Sequence, residues 1–130
     1  MAGGSGSGGV IECERVVEVP REYAAAHLRE HGIEVLSTPC MVLLMERLAR
    51  ECLDATLPDG VVSVGVRVDV RHRAPVRVGE SVLVRARGFD AGGGRFLFLV
   101  SVFSGDKLIG EAVHERRVVG LDDYLRRLQS

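Results

Sequence analysis

The chain has 130 residues, 46% of them apolar and 27% charged, with a formal net charge of −1. That length supports one hydrophobic core and not two, and the near-neutral charge argues against nucleic acid or an acidic membrane surface as the main partner. No apolar run approaches the roughly 20 residues of a membrane helix, and no basic segment leads into an apolar one as in an export signal. Cys13, Cys40 and Cys52 are odd in number and show no C-x-x-C spacing. The expectation is reduced thiols in the cytoplasm, with neither a disulfide frame nor a metal site. Lys107 is the only lysine, which reads as a composition bias toward arginine.

In chain order, residues Met1 to Gly9 (MAGGSGSGG) are Gly/Ser-rich and flexible, a composition that an added tag also has, and stand apart from a single domain over 10–130. Val10 to Val19 carries β-branched residues and reads as a strand ended by Pro20. Arg21 to His31 is a short helical stretch closed by Gly32. Thr38 in the capping position and Pro39 as first helical residue open the strongest helix, which runs to about Leu57 before Pro58-Asp59-Gly60 stops it. From there the apolar period becomes two. Val61 to Arg73, Glu80 to Phe89, Arg95 to Phe103 and Leu108 to Val119 read as strands joined by turns short enough for antiparallel hairpins. Leu121 to Leu128 forms a last amphipathic helix.

This order defines an α+β chain with helices on one face of an antiparallel sheet. The helix from Pro39 is apolar almost all round through Met45, so other structure wraps it. A sheet curled around one long central helix is the hotdog fold. Arg95 to Phe103 is apolar on both faces, as in a central strand or one covered by a second subunit.

The candidate chemistry begins at His72. Val62, Val64, Val66, Val68, Val70 and His72 share one face of their strand by strict alternation. An imidazole at the edge of an apolar layer is either a satisfied strand-end group or a working base. On the helix, Met41, Met45, Leu48 and Cys52 form the apolar stripe, with Thr38 near its middle, Arg47, Arg50 and Asp54 opposite, and Glu46 on the boundary. Two readings of Glu46 stand side by side: an i, i+4 pair with Arg50, or a partly desolvated carboxylate facing a cleft. Thr38 is a helix cap or a hydroxyl in that cleft. Cys40 reads as a small packed hydrophobe rather than an activated thiol. Gly65 interrupts a β-branched strand and marks a bulge or a close approach. Arg67, Arg71, Arg73, Arg85 and Arg87 make a solvated face that also suits the phosphates of a nucleotide-bearing substrate. The triplet His114-Glu115-Arg116 is a weak signal by itself.

Together these residues resemble a hotdog group, the acyl-CoA thioesterases similar to fluoroacetyl-CoA thioesterase. Thr38-x-x-Met41-Val42-x-Leu44-Met45-Glu46 is similar to that family's helix opening. Ser63-x-Gly65 with His72 seven residues after the glycine resembles its catalytic strand, and Gly110-x-x-x-His114-Glu115-Arg116-x-Val118 its last one. The likeness spans roughly Val16 to Val119.

The resemblance implies Thr38, Glu46 and His72 as the catalytic residues and Gly65 beside the substrate carbonyl. It implies no cofactor beyond the coenzyme A of the substrate, and a homodimer with sites at the subunit interface. His72 then serves as base toward water or the Thr38 hydroxyl, Glu46 orients the imidazole or attacks the carbonyl, and amides at the start of the Pro39 helix hold the oxyanion. Eight residues of helix rise about 12 Å, so either long side chains and a water bridge Thr38 and Glu46 of one chain, or one site takes them from different subunits, which the dimers of the resembled family favour. Leu36, with Ile33 and Val35, supplies an apolar lid, and Arg71 and Arg73 substrate contacts. The family's aromatic lid residues are missing from Glu30 to Leu36, so the general activity carries over better than a fluorine-selective gate. The other readings are a non-catalytic module binding acyl-CoA or another apolar ligand and, last, an enoyl-CoA hydratase.

Overall fold

In the computed structural model, which describes residues 9–130, the β-branched run after the glycines forms strand β1 (Val10–Glu18). The Gly/Ser-rich segment, Gly9 excepted, lies outside the described residues. Pro20 cannot donate to a ladder and ends β1. The helix expected over Arg21 to His31 is instead a 3-10 turn at Arg21–Tyr23 and a single-turn helix α1 (Ala26–Arg29). Tertiary pairing explains the split: Ala24 bridges to Leu36 and the Ala25 N–H donates to the Val35 carbonyl at 2.9 Å, which holds the backbone extended between the two turns.

Helix α2 (Thr38–Asp54) is capped by Ser37, whose Oγ accepts the Cys40 N–H at 3.3 Å. Thr38 is therefore not the cap but the first helical residue, and its hydroxyl is left for another partner. The helix ends short of Leu57 because the chain tightens: Thr56 and Leu57 donate back to the Leu53 and Asp54 carbonyls at 2.9 and 3.1 Å.

Strands β2 (Val61–His72), β3 (Ser81–Gly92), β4 (Arg95–Ser104) and β5 (Lys107–Gly120) complete a five-stranded antiparallel sheet of order β1-β3-β4-β5-β2. Helix α3 (Leu121–Gln129) follows β5. The doubly apolar β4 is the central strand. Helix α2 lies across the inner face and touches all five strands. Met41, Met45, Leu48 and Leu53 meet Val84, Ala86, Phe98, Val100 and Val102 there, all buried in one core. On the outer face arginines pair along the strands: Arg85 with Glu14 at 2.6 Å, Arg95 with Glu115 at 2.9 Å and Arg73 with Glu111 at 2.6 Å. No described helix is long and apolar enough to cross a membrane.

Strand β2 departs from strict alternation. Its register with β5 shifts between Gly65 and Arg67, which leaves Val66 unpaired and 54% exposed. Past this bulge Val68, Val70 and His72 lean onto the core as the alternation requires. Before it the phase is reversed, and Ser63 is the buried residue. An extra residue on one strand turns every following side chain to the other face.

The expectation of reduced cysteines is overturned in part. Cys13 of β1 and Cys52 of α2 form a disulfide across a sequence separation of 39, while Cys40 is free. No local spacing announces this pair, because tertiary packing brings the edge strand onto the last turns of the helix. The neighbouring Arg15–Glu51 ion pair ties the same two elements. Closing a loop of that length removes about 4 kcal/mol of unfolded-chain entropy. Reduction, or Cys52→Ser, is expected to lower Tm by about 10 °C in thermal melts. A Tm unmoved by reductant would show that these sulfurs are not bonded.

Candidate active site

Helix α2 and strand β2 run in opposite directions across the core, so the start of the helix meets the end of the strand. There the Thr38 Oγ1 lies 2.7 Å from His72 Nδ1. Close seating makes this possible. His72 pairs with Gly110 on β5, and the buried Met41 thioether occupies the space where a Gly110 side chain would begin. The His72 imidazole is partly buried, and its Nε2 is buried without a hydrogen-bond partner. Burial pushes its pKa below the ordinary 6.5, against a smaller opposing effect from a backbone hydrogen bond with Ala74. The ring is thus held neutral near neutral pH, and a hydroxyl donating to Nδ1 leaves its second nitrogen protonated.

A cleft of about 730 Å³ opens over this pair. Its walls are apolar: Ala24, Ala25, Ala26, Leu28, Val35 and Leu36, with Ala74 and Pro75 opposite. Leu36 is 2% exposed and forms wall rather than lid, whereas Ile33 stands outside the cleft. Arg73 reaches the rim while paired with Glu111. Arg71 lies elsewhere, on the outer face, paired with Asp69 at 2.8 Å. The amides at the start of α2 are mostly engaged. Pro39 has none, Cys40 donates to Ser37 Oγ, and Met41 donates to the Ser37 carbonyl. Of that turn, the Thr38 N–H remains for an oxyanion.

Glu46 and Gly65 are not in this cleft within one chain. The Glu46 carboxylate sits directly over Gly65, where any side chain on residue 65 would overlap it. Its ion-pair partner is Arg116 at 3.5 Å rather than Arg50. Arg116 is 2% exposed, and the adjoining His114 and Ser63 are also buried. Burial lowers the His114 pKa first of all; a backbone hydrogen bond with Arg67 opposes this and the Arg116 charge adds to it. Desolvation likewise lowers that of Arg116, while Glu46 and Asp54 oppose it. The structure therefore presents two half-sites: Thr38 with His72, and Glu46 with Gly65 and Arg116. Sequence reasoning gave Arg116 and Ser63 no role. A charged residue alternating with Ala112 and His114 on the buried face of β5 was the available signal.

A helix cradled by one curled antiparallel sheet, with a threonine–histidine pair at the mouth of an apolar cleft, defines a hotdog-fold protein of the acyl-CoA thioesterase kind. Residues 19–122 match the family described as fluoroacetyl-CoA-specific thioesterase. The chain belongs to that family. It is 34% identical to the fluoroacetyl-CoA thioesterase of Streptantibioticus cattleyicolor over 91 residues, which are 70% of this chain and 66% of that protein. A solved variant of the fluoroacetyl-CoA-specific thioesterase in complex with fluoroacetate and CoA superposes with a TM-score of 0.78 at 29% identity, over 87% of this chain and 95% of that one. The hot-dog-like protein of Thermanaerovibrio acidaminovorans gives 0.82 at 28%, over 91% of this chain and 87% of its own.

Proposed function

We propose that the protein hydrolyses small to medium acyl-CoA thioesters to the free acid and CoA, as a homodimer whose sites are shared between subunits. The 2.7 Å contact between Thr38 Oγ1 and His72 Nδ1 at an apolar cleft carries this reading. Neutral His72 takes a proton from the Thr38 hydroxyl or, through it, from water, and returns it to the departing thiolate. The Thr38 N–H faces the developing oxyanion. The acyl group lies along the alanine wall, and CoA enters as part of the substrate; a relative solved in complex with fluoroacetate and CoA supports this reading.

The edge of the sheet supports the dimer. Among the described residues β2 has β5 on one side and nothing on the other, an unpaired ladder that favours a second strand. Gly65 and His72 are separated by about 20 Å of strand. Antiparallel pairing of two β2 strands about a two-fold axis near Val68 sets His72 of one subunit beside Gly65 of the other. Glu46 then joins Thr38 and His72 across the interface, as carboxylate toward the imidazole or the carbonyl. The cytoplasmic location is part of the same proposal, and the Cys13–Cys52 bond runs against it.

The test is release of free thiol from a panel of acyl-CoAs of increasing chain length, with crotonyl-CoA hydration followed alongside. Turnover of short and medium chains is the expected result. Tight binding without turnover across the panel would leave a sequestering protein instead.

A further inference from the structure

Beside Glu46 lies a buried chain of polar groups that the proposed chemistry does not use. Asp54, the last residue of α2, accepts both the Ser63 hydroxyl at 2.6 Å and the Ser63 N–H at 3.2 Å. With its proton turned to Asp54, the Ser63 hydroxyl oxygen accepts from Arg116 Nε at 2.8 Å. The Ser63 carbonyl accepts from Arg116 Nη2 at 3.0 Å. His114 completes the frame. Its Nδ1 lies 2.9 Å from the Arg67 carbonyl, so that nitrogen carries the proton and donates, and Nε2 at 3.2 Å accepts from Arg116 Nη1.

Every nitrogen of the guanidinium is thus held, and Nη1 retains one N–H on the side of Glu46 Oε2, 3.5 Å away. The aim of a planar donor fork is fixed by its other bonds. A buried cation costs much and gains little as a plain tie between elements. Here it is braced from both sides and pointed at one carboxylate, with Gly65 leaving room for the pair.

We infer that Ser63 is a positioning residue for the thioesterase reaction, with Asp54 and His114 as its supports: through Arg116 it sets the direction and charge environment of Glu46. This rests on the reading in which Glu46 takes part in the chemistry. Ser63→Ala leaves Arg116 Nε without a partner and Asp54 with only the backbone N–H of residue 63, and the guanidinium swings. The expected result is a kcat lowered about tenfold with KM within about twofold, and restoration by Ser63→Thr, which keeps the hydroxyl. Asp54→Asn, which still accepts from Ser63, should lose about threefold.

Acyl-CoA turnover by the unaltered protein comes first; its absence overturns the parent reading and this inference with it, whereas the Ser63 and Asp54 variants test this inference alone. Given turnover, a Ser63→Ala protein with unchanged kcat, or with a loss carried by KM, overturns the inference. So does a kcat loss that Ser63→Thr fails to restore while restoring Tm. Should Ser63→Ala not fold, Asp54→Asn decides alone: a lowered kcat with unchanged KM supports the inference, and unchanged kinetics overturn it.

Discussion

His72→Ala is expected to lower kcat/KM for the best acyl-CoA substrate about a thousandfold while the protein stays folded. The magnitude is that of a positioned general base. It follows from the 2.7 Å approach of Thr38 Oγ1 to Nδ1, because no second imidazole shares the cleft close to that hydroxyl, His27 standing exposed at the rim. The pH profile supplies the sign. Burial holds the His72 pKa below 6.5, so the base is neutral at pH 7. Activity should fall only on the acid side, with its midpoint below 6.5. His114 is shifted the same way by burial, and both shifts bear on stability. An imidazole with a lowered folded-state pKa contributes fully above pH 6.5, and that stability is lost as pH falls from there through the lowered value. Melting curves at each pH therefore separate unfolding from titration of the base. An acid limb centred above 6.5, or a His72→Ala protein within tenfold of the original, would remove His72 from the chemistry.

The second large effect concerns the shared site. Thr38→Ala and Glu46→Ala are each expected to lower activity by about two orders of magnitude. Mixed and allowed to exchange subunits, they should recover about one quarter of the original activity. Statistical mixing makes half of the dimers hybrids, and each hybrid holds one site with both residues intact. Activity that stays at the level of the separate variants, with exchange verified by mass-tagged subunits, would place the whole reaction within one chain. The intrachain geometry already opposes that outcome, since Glu46 faces Gly65 and Arg116 and not the Thr38–His72 pair.

Much of this was legible in the residues. The change of apolar period at Val61 and the wrapped helix after Pro39 defined the fold, because both signals are local and strong. His72 and Thr38 met as the motif spacing implied. Other features depend on tertiary contacts that a linear pattern does not carry. The Thr38 cap reading failed because Ser37, one residue earlier, has the same chemistry and the better position. The split of the first helix required Leu36 to pair with Ala24, and the disulfide required β1 to lie on α2. Glu46 was ambiguous because Arg50, four residues on, is a sufficient local partner, and no local pattern marks Arg116, seventy residues on and buried, as the one it takes.

The bulge at Val66 has a consequence for how this strand tolerates change. Strand β2 works in opposite parity on either side of that residue: Ser63 inward before it, His72 inward after it. Removing a single residue there would not merely shorten an edge. It would bring the two halves into the same parity and restore a regular ladder, with the serine and the histidine both still turned inward. The extra residue is what lets a serine at an odd position and a histidine at an even one face the same interior, and its loss costs the strand its bulge and not its half-sites.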